Sequence, residues 1–164
     1  MFSNLILYDF ELNKYLQIQH HYLLQNISLS DSILQMVRIF KIIKFNKWMV
    51  KNKIADQILK NIVDEISEGL INVDFGNGLI KQRAALDRKG KRGGIRVLVA
   101  TNKMDCWIFL KGFKKNEADN ITKEEQALLQ ELCLDYLSLT DEQLNYMVKN
   151  GDFMEVLHDE QNST

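Results

Sequence analysis

The chain reads as a compact α+β domain built on one sheet, and three observations predict it. A short β-rich segment precedes two helical patterns, three strand patterns follow in a row, and two further helices close the chain. The length, 164 residues, suits one domain with an appendage. Proline is absent, where average usage of about 5% is expected, which argues against a loop-dominated architecture or a Pro-rich linker. No internal repeat is visible.

Residues 1–35 read unlike the rest. They hold no glycine and few charges, and Leu12, Leu16, His20, Leu23 and Leu24 keep helical spacing without a cap at either end. Met36 stands directly before the basic, β-rich segment Val37–Ile43, so it reads as the true or an alternative translation start. A genuine helical extension is the competing reading. The domain itself is assigned to residues 36–157.

Its first strand is Arg38–Ile43, followed by a short helix around Trp48 and Met49. From Ile54 onward Ile58, Ile62, Ile66 and Leu70 recur every four residues with Leu59 and Val63 alongside. That spacing predicts a helix with one buried stripe, stopped by Gly69. Asp74–Gly78 is a cluster of turn formers. Leu79–Leu86 alternates, with Lys81, Arg83 and Ala85 on one face and Ile80, Ala84 and Leu86 on the other. Ile95–Ala100 is the most β-like stretch, and Asn102–Asp105 turns it into a strand from Cys106 to Phe113.

Thr122 and Glu125 form a capping-box pattern opening a helix through Leu128, Leu129, Leu132 and Tyr136. Thr140 and Gln143 repeat the pattern before Leu144, Met147 and Val148; Gly151 ends that helix, and Phe153–Val156 adds a short edge strand. Residues 158–164 read as a disordered tail.

The net charge of −1 hides a strong asymmetry. Residues 37–119 hold 18 Lys and Arg against 9 Asp and Glu, whereas residues 120–164 hold 2 against 10. A basic body with an acidic end points to polyanions, bound or kept off, and the acidic third is able to fold over the basic ribbon. Between Lys81 and Lys115 eleven cations face only Asp87 and Asp105. The loop Asp87–Gly94 adds three glycines that let backbone approach a phosphate. Arg96 is expected to share a face with Lys81 and Arg83, with Trp107, Phe109 or Phe113 as stacking partners. The competing reading is a solvated edge that discourages strand pairing, with the aromatics in the core.

Histidine is missing from the basic body: His20, His21 and His158 all lie outside it. Cleavage of RNA by a histidine pair is therefore excluded there, leaving lysine as a base, arginine as a charge stabiliser and Glu117. Cys106 and Cys133 cannot form a disulfide framework or a four-thiolate zinc site, and read as buried thiols in a reducing cytosol. No phosphate-loop motif exists, and no metal or cofactor is predicted. No run of eighteen apolar residues exists and the N-terminus lacks a basic region ahead of its apolar residues. A cytoplasmic protein without membrane span or signal peptide is expected.

Three motifs carry a family resemblance. Gly78–Arg83, Gly90–Leu98 and Phe109–Glu117 with Asn120–Ile121, in that order, resemble RelE/HigB-type toxins of type II toxin–antitoxin systems, in the phage-derived branch related to HigB. The likeness runs from about Met36 to Val156. It implies a RelE-like fold: an N-terminal strand and two helices, then an antiparallel sheet and C-terminal helices. It implies ribosome-dependent cleavage of mRNA, inhibition of translation, and neutralisation by a cognate antitoxin of helix-turn-helix type. By motif, Lys91, Arg92 and Arg96 would bind and polarise the scissile phosphate, with Lys114 and Lys115 completing the pocket. Lys81, Arg83, Lys89 and Lys111 would contact RNA. Some relatives place a Tyr or His near the C-terminus for proton transfer; here Tyr136, Tyr146 and His158 are the candidates there, none in a matching motif, and Glu117 is a further proton-transfer candidate. A ParE-like gyrase poison and a catalytically degenerate binder of nucleic acid or antitoxin are the alternatives.

Overall fold

The computed structural model describes residues 37–86, 94–114 and 121–157. All belong to one compact unit, Val37–Thr164. The extension 1–35, Met36 and the tail 158–164 lie outside the described residues.

Strand β1 (Arg38–Ile42) leads directly into helix α1 (Ile43–Lys51), which buries Phe45 and Met49 one turn apart. Helix α2 (Gln57–Ser67) buries Leu59, Ile62, Val63 and Ile66. The expected stripe is one turn too long at each end. The helix begins at Gln57, with Ile54 reaching the core from the preceding loop, and Leu70 is exposed because the chain turns at Gly69, whose φ is +84°.

The cluster Asp74–Gly78 is not all turn. Val73–Gly76 is an edge strand, β2, paired antiparallel with β3 (Leu79–Ala84), and only Asn77 and Gly78 form the loop. Both have positive φ, +53° and +79°, as a two-residue hairpin turn requires. Strand β4 (Ile95–Thr101) pairs antiparallel with β3 and with β5 (Cys106–Lys114). The β4–β5 turn is held by Asn102, whose Oδ1 accepts from the backbone N–H groups of Met104, Asp105 and Cys106.

Helices α3 (Lys123–Leu137) and α4 (Asp141–Asn150) follow, and β6 (Phe153–Glu155) closes the sheet. Thr140 makes both halves of its capping box with Gln143. Thr122 makes only one: its hydroxyl accepts from the Glu125 N–H, while the Glu125 carboxylate turns away to Lys111.

The six strands lie in the order β2-β3-β4-β5-β1-β6. The sheet is mixed, because β1 enters parallel to β5 and antiparallel to β6. Each face carries its own core. Ile80, Val97, Val99, Trp107 and Phe109 pack on α1 and α2, whereas Leu79, Leu98, Ala100, Ile108 and Phe113 pack on the α3–α4 side with Cys133 and Leu144. The α+β reading therefore stands, with β1 as an inserted inner strand.

A cluster at the β1–β6 edge ties the termini of this unit together. The Arg38 guanidinium donates to both Glu155 carboxylate oxygens at 2.8 and 2.9 Å, to Asp141 at 3.1 Å and to Asn145 at 2.8 Å. It also lies 4.8 Å above the Phe40 ring. These charge-assisted bonds hold the guanidinium's proton more firmly than usual, Glu155 contributing most.

Candidate nucleic-acid interface

The pairing of β3, β4 and β5 lays the predicted cations out in rows. Arg83 pairs with Arg96, which pairs with Phe113; one step along, Lys81 pairs with Leu98, which pairs with Lys111. Directly paired residues project to the same face. Since Leu98 and Phe113 belong to the α3–α4 core, Lys81, Arg83, Arg96 and Lys111 lie on that side of the sheet. Arg83 is exposed; Lys81, Arg96 and Lys111 are half-buried.

A bulge places Lys111 there. Leu98 pairs with Lys111 but Val99 pairs with Phe109, leaving Leu110 as an extra residue in β5. Counting by twos from Trp107 and Phe109 would send Lys111 to the α1–α2 side. The bulge reverses the phase, so that Lys111 and Phe113 join the cation face. For the same reason Lys114 pairs with Ile95, a residue of the opposite core, and belongs to the other face.

The aromatics resolve in favour of the core. Trp107 and Phe109 are fully buried, and Phe113 is only 6% exposed, so none offers a stacking platform. Phe75, on the unanticipated strand β2, is the half-buried aromatic beside the cations: the Lys81 ammonium stands 5.6 Å from its ring centroid. Its signal in the sequence was hidden by the surrounding Asp and Gly residues.

Several cations of the basic body serve the fold instead. Arg38 holds the edge cluster. Lys41, 5% exposed, is neutralised by Asp56 at 2.7 Å. Lys103 bonds Asp74 at 2.7 Å across the sheet end and, with the Gly76 N–H, keeps that carboxyl below its usual range. Lys111, which stays on the cation face, is ion-paired with Glu125 in the first turn of α3.

Tyr136 is not brought to the cations. Its ring meets Phe153 edge-on at 5.1 Å, under β6. That strand lies three positions from β4, about 14 Å at ordinary strand spacing. Burial raises the Tyr136 hydroxyl's pKa above its ordinary value. Burial likewise pushes the Cys106 thiol up to about 11 and the Cys133 thiol up to about 12. Lys89, Lys91, Arg92, Lys115 and Glu117 lie outside the described residues.

Among the described residues no group of His, Cys, Asp and Glu is arranged to hold a metal ion. None of their helices is long and apolar enough to cross a membrane.

A guanidinium is a planar fork of N–H donors that suits phosphate oxygens and does not take up a proton. The family model for the RelE toxin of the RelE/RelB toxin–antitoxin system matches residues 37–156, which hold this sheet and the four helices of the described residues. The chain belongs to the RelE toxin family. No curated protein matches it. In this RelE-family chain, the matched span contains every described residue of the cation rows.

Proposed function

We propose that this RelE-family toxin is a ribosome-dependent mRNA endonuclease that inhibits translation. The observation that carries the reading is the direct pairing of Arg83 with Arg96, beside Lys81, on one face of a sheet of RelE type. In this reading the two guanidiniums hold the scissile phosphate and stabilise the charge that develops as a 2′-hydroxyl attacks. Lys91, Arg92 and Lys115, assigned by family motif, complete the cationic environment, and Lys114 serves RNA from the strand end. With histidine absent from residues 37–157, a lysine is the base of choice, and Glu117 is the remaining candidate for proton transfer.

The same reading assigns the chain to the phage-derived, HigB-like branch, places it in the cytoplasm and gives it a cognate antitoxin of helix-turn-helix type. Residues 1–35 are then an extension dispensable for activity, with Met36 a sufficient start.

The absence of histidine favours one competing reading, a protein that binds RNA or its antitoxin without cutting. Induced expression of the chain, with growth followed and primer extension run on a translated reporter mRNA, separates the two. Growth arrest with cuts confined to translated codons supports the nuclease. Arrest with DNA damage and no cuts transfers the chain to gyrase poisoning, and a soluble product causing no arrest leaves binding alone.

A further inference from the structure

We infer that Glu125 is a built-in competitor for RNA phosphate at Lys111. This inference rests on the reading of the β3–β4–β5 face as an RNA surface. Lys111 reaches that face only because of the Leu110 bulge, and on arrival it meets a carboxylate. Glu125 is placed for this by two separate devices. Thr122 caps α3 through the Glu125 backbone N–H, which fixes the first turn of the helix. The carboxylate, released from the reciprocal half of the capping box, bonds the Lys111 ammonium.

The consequence is a difference between neighbours on one face. Lys81 and Lys111 flank Leu98 from the two adjoining strands, about 10 Å apart at strand spacing. Lys81 has an aromatic ring near it, and Lys111 has a carboxylate partner in the same chain. A phosphate reaching Lys111 must first displace Glu125. The pair is accessible to such exchange, its side chains being 44% and 38% exposed. Glu125 thereby weakens phosphate contact at Lys111 and lowers the affinity of the resting protein for arbitrary RNA. It acts on Lys111 and touches no reacting atom, so it is a positioning and selectivity residue.

The test uses the full chain and a fluorescein-labelled oligouridine, with binding followed by anisotropy between 50 and 200 mM salt. Glu125→Gln is expected to bind up to about fivefold tighter at low salt, the strength of a half-exposed ion pair. Its salt slope is expected to steepen by about 0.7, one additional single-strand phosphate contact. Lys111→Ala is expected to change affinity less than about twofold alone, yet to erase the gain when combined with Glu125→Gln. The swapped pair Lys111→Glu with Glu125→Lys keeps the ion pair and is expected to bind as the unaltered chain does, which covers the case of a Glu125→Gln protein that fails to fold.

Three results overturn the inference: no gain from Glu125→Gln, a loss from Lys111→Ala alone as large as that from Arg96→Ala, or weakened binding by the swapped pair. Arg83→Ala and Arg96→Ala separate this failure from a failure of the RNA reading. If both weaken binding while Glu125→Gln changes nothing, only the competitor is wrong. If neither weakens it, the RNA face itself is wrong.

Discussion

Arg83 and Arg96 stand directly opposite each other on β3 and β4, on the face that α3 and α4 share. Like charges in that position destabilise a sheet by about 0.2–1 kcal/mol. Arg83→Thr is accordingly expected to raise the stability of the chain by about 0.5 kcal/mol in urea unfolding, and to weaken RNA binding in the same preparation. A variant that loses stability and keeps its affinity would show that the pair serves the fold.

Arg38 joins β1 to β6 and α4 through four hydrogen bonds to Glu155, Asp141 and Asn145. Its side chain is 24% exposed, so the bonds to charged partners retain much of their strength. Arg38→Ala is expected to cost about 2 kcal/mol, and Arg38→Lys to recover little, since an ammonium cannot reproduce the two-pronged geometry. Chemical unfolding of both variants checks this.

Gly112 is required by its neighbour and not by its backbone angle. A Cβ built there would lie 2.2 Å from the Trp48 ring, which α1 presses onto β5. Gly112→Ala is expected to destabilise the chain by about 1–3 kcal/mol. Adding Trp48→Leu is expected to return part of that loss, measured as the shift in unfolding midpoint for the single and double variants.

The two thiols predict how stability varies at alkaline pH. Their ordinary value is 9.0, and burial raises Cys106 to about 11 and Cys133 to about 12 in the folded chain. A raised folded-state pKa means that the folded form binds the proton more tightly than the unfolded form. The contribution is therefore complete below pH 9 and is lost as pH rises toward 12. Unfolding midpoints of the unaltered chain are expected to fall across that window more steeply than those of a Cys133→Ala variant. Parallel curves would show that other groups govern alkaline unfolding.

Much of the fold was legible because its signals are local. The apolar spacing in α2, the Thr140 box, the Gly151 stop and the β-branched run of β4 each follow from neighbouring residues. The sharing of a face by Lys81, Arg83 and Arg96 also followed, from alternation within β3 and the register of one hairpin. What stayed hidden depends on pairing at a distance. Strand β2 is an edge strand whose Asp74 and Gly76 read as turn formers. The parallel entry of β1 beside β5 depends on tertiary packing across about seventy residues of sequence.

The layout of the candidate site was hidden for a similar reason. One extra residue, Leu110, exchanges Lys111 for Lys114 on the cation face, and no composition or spacing rule announces a bulge. Likewise the Glu125 carboxylate, expected to close a capping box, is drawn to Lys111 because a charged partner lies within reach. Phe113 carried no mark distinguishing a stacking aromatic from a core one, and the packing of α3 makes it core.

The central claim is that the Arg83–Arg96 pair is where RNA is held and cut. The most direct measurement is primer extension on a translated reporter mRNA during induced expression of the full chain and of its Arg96→Ala variant, with both proteins shown to be folded and equally abundant. The expected result is cuts confined to translated codons, with growth arrest, for the unaltered chain and neither for Arg96→Ala. Undiminished cutting by a folded Arg96→Ala protein would contradict the account.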